Sequence, residues 1–341
     1  MTTRLLDVEE LVRRGTTLMV AVGTPVPAAQ RVARSLAEAN RCGHDSHGVV
    51  RIPWYADFVP DGRAVPTAEP VVVNEFGATA VIDGQRCWGQ LAGHLACDVA
   101  ERIVAGTGIA AVTVRSANHV GRLGEYVERL VAKGLVGIMW CNADPAMAPF
   151  GGRDRMLGTN PMAIGVPAGD ADPMIVDFAS AAVAEGKLRL ERAAGRSVAP
   201  GLIQDGAGGP STDPEDFYRG GALLPFGLHK GFGLALMIEL LGGALSGNHV
   251  GFLPEYHWGN GVVLIALAPE AFGDPAVITD EFRRGLQGIR GARPAAGFDE
   301  VLAPGDIEKR VREQRDAEGI PVPQEVWEQL SATADRLGVP W

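Results

Sequence analysis

Two short motifs place histidines beside residues that can support acid–base chemistry. The first occupies residues 43–51 and reads GHDSHGVVR, and the second occupies residues 116–122 and reads SANHVGR. Arg51 follows His47 by four positions, a spacing that puts both side chains on one face of a helix. A guanidinium can bind a carboxylate through two parallel hydrogen bonds, and histidine gains or loses a proton near neutral pH. The pattern predicts acid–base chemistry on a small carboxylic acid.

The composition is that of an enzyme with a sizeable core. The chain has 341 residues, 46% of them hydrophobic and 21% charged, which favours two domains. A formal charge of -10 argues against nucleic acid or an anionic membrane as a partner. No apolar run reaches the roughly 18 residues of a membrane helix, and the N-terminus lacks a signal-peptide pattern, so a cytoplasmic protein is expected. The four cysteines form no Cys-x-x-Cys pair, which favours reduced thiols.

The hydrophobic pattern predicts helices at both ends of the chain and a mixed middle. Residues 27–42 read as a helix that ends at Gly43. Short β-branched runs alternate with helical segments from about residue 71, and the last fifty residues are helical again. We expect an α/β or α+β fold in which residues 1–74 and 290–341 form a helical domain and residues 75–289 form an α/β domain. Residues 195–214 are rich in glycine, proline and aspartate and are expected to form a surface loop.

Two familiar motifs can be weighed against their context. Residues 106–111 read GTGIAA, but these glycines follow a helical pattern and precede a strand, the reverse of the order in a Rossmann dinucleotide fold. His44 and His47 have H-x-x-H spacing, which raises a metal-dependent hydrolase as an alternative. No further ligands follow at a recognised spacing, so we expect no metal site.

Three later segments could contribute to a site. Residues 142–152 read NADPAMAPFGG directly after a buried run, which puts Asp144 either near an active site or in an ordinary turn. The same two interpretations apply to residues 157–161, which read LGTNP. Residues 224–233 read LPFGLHKGFG and precede an apolar helix, whose N-terminus, with Lys230, would suit a phosphate or pyrophosphate.

Taken together, these motifs resemble the malate/L-lactate dehydrogenase type 2 family, also called sulfolactate dehydrogenase-like. Ureidoglycolate dehydrogenase, diketogulonate reductase and piperideine-2-carboxylate reductase are among its members. The resemblance runs over nearly the whole chain, through SHG at 46–48, NHVGR at 118–122, APFGG at 148–152, GTNP at 158–161, HKG at 229–231 and LAPG at 302–305. It implies a fold that binds NAD or NADP without a Rossmann unit.

The resemblance also implies roles for the residues of the two histidine motifs. His47 matches the proton donor to the substrate carbonyl, and His119 matches a residue that contacts substrate and is the base in some members. Arg51 matches the clamp for the substrate carboxylate. Asp144 matches a carboxylate that orients or recharges the histidine, and Ser46 is expected to hydrogen-bond substrate or cofactor.

Further positions are assigned to ligand contacts on the same basis. Thr159 and Asn160 are assigned to the substrate. The expected cofactor contacts are Ala143, Asp177, Phe178, Ala179, Ser180, His229, Lys230, Gly305 and Asp306. Asp306 replaces the more usual glutamate, and Ala143 stands where a serine is often found, so the details of cofactor binding are expected to differ.

The sequence therefore predicts an oxidoreductase that moves a hydride between NAD(P)H and a small 2-oxo or 2-hydroxy acid. A reductase of cyclic imino acids is the alternative on the same scaffold, because an imino acid is isoelectronic with an oxo acid. A metal-dependent hydrolase and a non-catalytic binder of small ligands are more remote. Family members are commonly homodimers, and we expect the same here.

Overall fold

A seven-stranded mixed sheet forms the centre of the protein, for which a computed structural model describes residues 3–341. The strands are β2 (Val71–Phe76), β3 (Thr79–Asp83), β4 (Ile109–Ala117), β5 (Val136–Cys141), β6 (Met162–Val166), β7 (Met174–Phe178) and β11 (Asn260–Leu267). Their order in the sheet is β2-β3-β4-β11-β5-β6-β7, and among these neighbours only β3 and β4 run parallel.

Helices cover the sheet according to the alternation of its side chains. In β4 alternate residues such as Ala110, Val112 and Val114 are buried, as expected for a strand that faces a helix layer. This layer consists of α4 (Gly89–Thr107) and α5 (Gly124–Val131), which pack on β4, β5 and β6. The predicted mixed α/β architecture is confirmed.

The two ends of the chain pack together in a second hydrophobic core. Strand β1 (Thr3–Leu6) pairs antiparallel with β12 (Ile320–Pro323), and the core joins Leu11 and Leu36 from the front of the chain to Leu330 from its end. The surrounding helices are α1 (Val8–Ala21), α2 (Val26–Arg41), α3 (Ile52–Phe58), α10 (Asp306–Glu318) and α11 (Gln324–Leu337). Helix α2 ends as the sequence predicts, with Gly43 in the left-handed region at a φ of 86°.

A third, smaller layer lies beside the sheet. Residues 195–214, expected to form a loop, contain two short strands that form a three-stranded sheet with a third. The elements here are α6 (Glu185–Ala193), β8 (Ile203–Gln204), β9 (Pro210–Ser211), α7 (Pro214–Tyr218) and β10 (Ala222–Leu223). Helix α8 (His229–Glu239) follows and continues as a π-helical segment over Leu240–Leu245, and α9 (Pro275–Arg290) precedes α10.

The glycines of residues 106–108, whose order along the chain argued against a Rossmann unit, lie at the end of a helix in the structure. Gly108 caps the C-terminus of α4 in the left-handed conformation, with a φ of 75°, and the chain then enters β4. These glycines therefore end a helix and do not open one at a phosphate site. Within residues 3–341, no helix is both long and apolar enough to cross a membrane.

Candidate active site

A cavity of about 680 Å³ lies between the terminal helices, the ends of β5 and β7, and α6. Residues from distant parts of the chain line it, which is typical of a ligand site. Those expected from the sequence are Ser46, His47, Arg51, His119, Ala143, Asp144, Thr159, Asp177, Phe178 and Ala179.

The first histidine motif does not form the single helical face that the spacing suggested. Residues 45–47 and 49–51 form two separate 3-10 turns, and Gly48 between them is extended. A Cβ on Gly48 would lie 2.1 Å from Oδ1 of Asn40, the oxygen that accepts a hydrogen bond from the Val49 amide. The close approach of α2 therefore breaks the helix at Gly48, yet His47 and Arg51 still face the same cavity.

The loop after β4 carries the second histidine and is fixed from three sides. Asn118 donates to the carbonyls of Arg86 and Cys87 and accepts a hydrogen bond from the Trp258 indole at 2.8 Å. A Cβ on Gly89 would lie 2.2 Å from the Asn118 carbonyl oxygen, so a larger residue at the start of α4 would displace this loop. His119 is thereby held beside His47.

The two imidazoles stack with their centroids 5.5 Å apart and their planes 23° from parallel. Nδ1 of His47 lies 3.0 Å from the Ser46 hydroxyl, and Nδ1 of His119 lies 2.8 Å from the Tyr55 hydroxyl. Burial lowers the pKa of His47 to about 3, with a further contribution from the positive charge of Arg51. The pKa of His119 is lowered well below its ordinary value for the same two reasons. Both rings are therefore neutral at pH 7 while the cavity holds no anion.

Arg51 brings an unpaired positive charge to the cavity. Its Nε donates to the Ser46 carbonyl at 2.6 Å, and its guanidinium lies over the Trp54 ring, 5.0 Å from the centroid. Burial lowers the pKa of Arg51, and the negative charge of Glu185, which lines the same cavity, partly offsets this effect. In the described part of the chain no carboxylate forms an ion pair with Arg51, since Glu185 is paired with Arg189. A partly buried guanidinium without an ion-pair partner favours an anionic ligand, because a charge with reduced access to water is stabilised by an opposite charge.

Asp144 reaches the cavity from the loop after β5. The Tyr256 hydroxyl donates to Asp144 Oδ1 at 2.6 Å and is also 2.8 Å from the Gly259 carbonyl oxygen. Burial raises the pKa of Asp144 from its ordinary value. Within residues 3–341, no hydrogen bond joins Asp144 to either histidine.

A buried carboxylate behind this loop holds it in place. Glu239 is fully buried at the end of α8 and accepts hydrogen bonds from the side-chain amides of Asn142 and Asn160 and from the Gly251 amide, at 2.7–2.9 Å. Asn160 Oδ1 in turn accepts from the Ala143 amide. The structure therefore places Asn160 behind the cavity wall, with its side chain occupied by protein groups.

The expected cofactor residues fall into three places. Ala143 and residues 177–179 line the main cavity, whereas Ser180 is buried behind it and donates to the Thr159 carbonyl. Gly305 and Asp306 line a neighbouring cavity of about 80 Å³, which shares Arg122, Asp177 and Glu308 with the first, and Asp306 pairs with Arg290. His229 and Lys230 are exposed at the N-terminus of α8 and line neither cavity.

Several residues at the site have no signal in the motifs. Trp54 and Trp258 form aromatic walls 5.9 Å apart between ring centroids, and Tyr256 holds Asp144. Tyr55 and Gln90 lie behind His119. The spacing of Trp54 and Tyr55, three and four positions after Arg51, is the one sequence pattern that could have suggested them.

The donor set suits a dinucleotide better than a metal. No three histidine, cysteine, aspartate or glutamate side chains converge within residues 3–341 in a way that could hold a metal ion. The two cavities adjoin each other through Arg122, Asp177 and Glu308; Arg51 and the two histidines line the larger one, and the start of α10 lines the smaller one. A lining spread over two adjoining cavities suits an extended ligand, such as a nicotinamide dinucleotide, better than a single metal ion.

Comparison with known proteins gives the family. A sequence model of the malate/L-lactate dehydrogenase family matches residues 6–331. Hydroxycarboxylate dehydrogenase B of Escherichia coli K12 is 35% identical over 330 residues, or 94% of this chain and 90% of that protein.

Solved structures agree with this assignment. The structure of a putative malate/lactate dehydrogenase from E. coli has a TM-score of 0.93, 32% identity and coverage of 99% and 96% of the two chains. The Δ1-piperideine-2-carboxylate reductase of Pseudomonas syringae has a TM-score of 0.86, 30% identity and coverage of 97% and 100%. As the motifs predicted, the chain belongs to the malate/L-lactate dehydrogenase family, a family of oxidoreductases.

Proposed function

We propose that the protein interconverts a small 2-oxo acid and its 2-hydroxy acid at the cavity formed by His47, His119 and Arg51. The observation that carries this proposal is the partly buried guanidinium of Arg51, which has no ion-pair partner and lies in the same cavity as two stacked imidazoles. When bound, a nicotinamide dinucleotide supplies or accepts the hydride. The protein must then hold the acid, orient its carbonyl and exchange one proton with the oxygen.

Arg51 binds the substrate carboxylate in this proposal, and His47 exchanges the proton. Arg51 is one cause of the low pKa of His47, after burial. A carboxylate on Arg51 cancels much of that positive charge, so binding of the acid raises the proton affinity of His47. Binding of the acid therefore favours protonation of His47, and a protonated His47 stabilises the negative charge that develops on the carbonyl oxygen.

The remaining polar groups of the site act on His47 and on the bound substrate. Ser46, 3.0 Å from Nδ1 of His47, fixes the direction of that ring. Asp144 provides a carboxylate on the opposite wall that stabilises an imidazolium formed during the reaction, and Thr159 offers a hydroxyl to the substrate. We assign Asn160 to positioning, because its side chain is committed to Ala143, Ala235 and Glu239.

For the cofactor we propose that Ala143 and residues 177–179 contact its nicotinamide half. Gly305 and Asp306 contact its adenosine half at the start of α10, in the smaller cavity. Ser180 supports the loop from behind. His229 and Lys230 lie outside the cavities of their own chain, so a role for them in cofactor binding requires the assembly proposed next.

We propose a homodimer in which the face of α8 and its π-helical continuation is covered by a second copy. Met237, Leu240 and Leu245 are exposed by 53%, 40% and 62% on this face, and Phe252 and Leu253 lie on the segment that follows. Apolar side chains gathered on one element mark an interaction surface more often than scattered ones do.

The four cysteines are free, which favours the reducing cytoplasm.

A cyclic imino acid is the second candidate substrate. It presents the same carboxylate to Arg51 and a C=N bond in place of C=O, and the walls of Trp54 and Trp258 suit an apolar ring. The related piperideine-2-carboxylate reductase also supports this candidate.

A spectrophotometric screen tests the proposal and separates the two candidates. Straight-chain and branched 2-oxo acids and five- and six-membered cyclic imino acids are each mixed with NADH or NADPH, and nicotinamide absorbance is followed. We expect oxidation of the nicotinamide with at least one 2-oxo acid, lost in His47→Ala. Turnover of imino acids alone would replace the first candidate by the second, and no turnover with any acid would contradict both.

A further inference from the structure

Behind His119, two hydrogen bonds lead away from the cavity to a buried glutamine. Nδ1 of His119 lies 2.8 Å from the Tyr55 hydroxyl, and Nε2 of Gln90 donates to that hydroxyl at 2.9 Å. Tyr55 is 1% exposed and Gln90 is 0% exposed, so water cannot replace either partner. The state of His119 is therefore coupled to the side-chain amide at the start of α4.

The direction of these bonds determines where His119 carries its proton. Because the Tyr55 oxygen accepts a hydrogen bond from the Gln90 amide, the phenol O–H donates its own hydrogen bond to a different acceptor. Two acceptors are near, Nδ1 of His119 at 2.8 Å and the His119 carbonyl oxygen at 3.4 Å. The shorter contact is the stronger one. Nδ1 is then an acceptor, and a neutral His119 carries its proton on Nε2, the nitrogen left to face the cavity.

The unpaired oxygen of Gln90 is the second observation. Oε1 of this fully buried side chain has no hydrogen-bond partner among the described residues. Leaving a buried acceptor unpaired costs about 1–3 kcal/mol, whereas an apolar side chain of similar size would cost nothing of this kind. The chain thus retains a glutamine whose main polar contact is the bond donated to Tyr55, as expected where the direction of that bond matters.

The charges around the pair keep both groups neutral. Arg51 and His47 face His119 from the cavity side, and burial is the first cause of its low pKa. Glu125 and Arg51 are the charged groups near Tyr55, whose pKa burial raises to about 12. The phenol therefore keeps its proton throughout the neutral range and remains available as the donor.

From these contacts we infer that Gln90 is a positioning residue that, through Tyr55, holds the proton of neutral His119 on Nε2. The consequence for the reaction rests on the function proposed above. A His119 of this form donates a hydrogen bond to the substrate oxygen but cannot accept the proton from a hydroxy acid through Nε2. His119 then orients the oxygen, and the proton exchange falls to His47.

The tautomer can be measured directly by NMR of protein labelled with ¹⁵N in histidine. Long-range ¹H–¹⁵N correlations distinguish a protonated from an unprotonated ring nitrogen, and the His119→Ala variant assigns the signals. We expect Nε2 protonated and Nδ1 unprotonated in the wild-type protein. In Gln90→Met and in Tyr55→Phe we expect a new population protonated on Nδ1, because nothing then directs the phenol proton or the phenol is absent.

Gln204→Met is the matched control, because Gln204 is also a buried glutamine but donates to the carbonyls of Gly152 and Arg153 outside the cavity. It should leave the His119 signals unchanged. In Gln90→Met we also expect kcat/KM to fall on the order of ten-fold with cofactor affinity unchanged, the loss of about one hydrogen bond.

A wild-type spectrum with the proton on Nδ1, or a Gln90→Met spectrum with His119 signals unchanged from the wild type, would overturn the inference. These outcomes do not depend on activity. A protein that shows the Nε2 proton but reduces no oxo or imino acid would leave the positioning role in place and contradict the proposed function alone.

Discussion

In the proposed function, Arg51 is the residue on which the choice of substrate depends. Its Nε is committed to the Ser46 carbonyl and its ring neighbour is Trp54, which leaves the outer nitrogens for the two oxygens of a carboxylate. The sequence motif predicted this assignment because arginine and histidine were close together along the chain. In the structure His47 and Arg51 line the same cavity, even though the segment that connects them is not a single helix.

Substitution of Arg51 tests this reading of the site. Arg51→Lys keeps the charge but loses the planar fork, so KM for the acid should rise. Arg51→Met should cost about 2–5 kcal/mol in kcat/KM, because the substrate carboxylate would be buried without a partner. Cofactor affinity, measured by fluorescence titration, should stay within about two-fold.

Arg153→Met, at an exposed site outside both cavities, is the control for charge removal. Wild-type efficiency of Arg51→Met with every acid would show that another group holds the carboxylate.

The low pKa of His47 predicts the pH dependence of hydroxy acid oxidation. Oxidation needs a neutral base, and kcat/KM reports the free enzyme, in which the pKa of His47 is about 3 rather than 6.5. Because protonation of the base begins only far below neutral pH, kcat/KM should stay level from about pH 8 down to about pH 5. Initial rates in constant ionic strength measure this profile. An acidic limb centred near the ordinary histidine pKa would mean that the base is not buried as described.

At the scale of elements, α8 supports the loop after β5 through one carboxylate. Glu239 accepts three hydrogen bonds that fix Asn142, Asn160 and Gly251. The two glycines that follow, Gly242 and Gly243, allow the π-helical segment to approach the Asn142 amide and the His249 carbonyl, where a Cβ would lie at 2.7 and 2.4 Å. The segment packs here because its backbone comes close to the end of β5.

Glu239→Gln should therefore destabilise the protein. An amide in place of the carboxylate would put a donor opposite one of three donors, at a cost of about 1–3 kcal/mol for the unpaired buried groups. Unfolding in urea measures this change. Glu255→Gln, in the exposed loop that follows, is the matched control and should change stability by less than about 0.5 kcal/mol. Equal midpoints for both variants would contradict the proposed support of the loop.

Local patterns predicted most elements but not their arrangement. Helices α10 and α11 lie within the last fifty residues, which were predicted to be helical, and β2 to β5 lie in the region of β-branched runs that was predicted to begin at about residue 71. The position of β11 between β4 and β5 could not be predicted, because a buried strand carries no record of which strands flank it. The short strands within residues 195–214 were not predicted, because their pairing depends on contacts that local turn residues do not specify.

At the scale of the whole molecule, the exposed face of α8 sets the expected assembly. Met237→Glu together with Leu240→Glu should convert a dimer to a monomer, because each would bury an unpaired charge in the interface. Sedimentation velocity measures the change. Phe272→Glu, another exposed apolar residue at 67% but outside this face, should leave the dimer intact. A wild-type protein that sediments as a monomer would contradict the proposed homodimer.

The motifs predicted the site only in part, because some of its residues are brought together only by the fold of the whole molecule. His229 and Lys230 matched a family pattern, yet a single chain leaves both exposed. Tyr55 and Gln90 were missed because a buried tyrosine and a helical glutamine look like ordinary core and surface residues until the fold places them behind His119. Sequence motifs identify groups with intrinsic chemistry, whereas supporting groups are defined by three-dimensional contact.

The central claim is direct hydride transfer to a 2-oxo acid held by Arg51, and isotope transfer tests it most directly. The protein is incubated with a 2-oxo acid identified by the screen and with reduced nicotinamide cofactor bearing deuterium at ring carbon 4, on each face in turn. We predict that one of the two labelled cofactors delivers deuterium to C2 of the 2-hydroxy acid, seen by mass spectrometry and proton NMR, and that Arg51→Met loses this product. Hydroxy acid formed with hydrogen from solvent at C2 for both labels, or no hydroxy acid at all, would contradict the account.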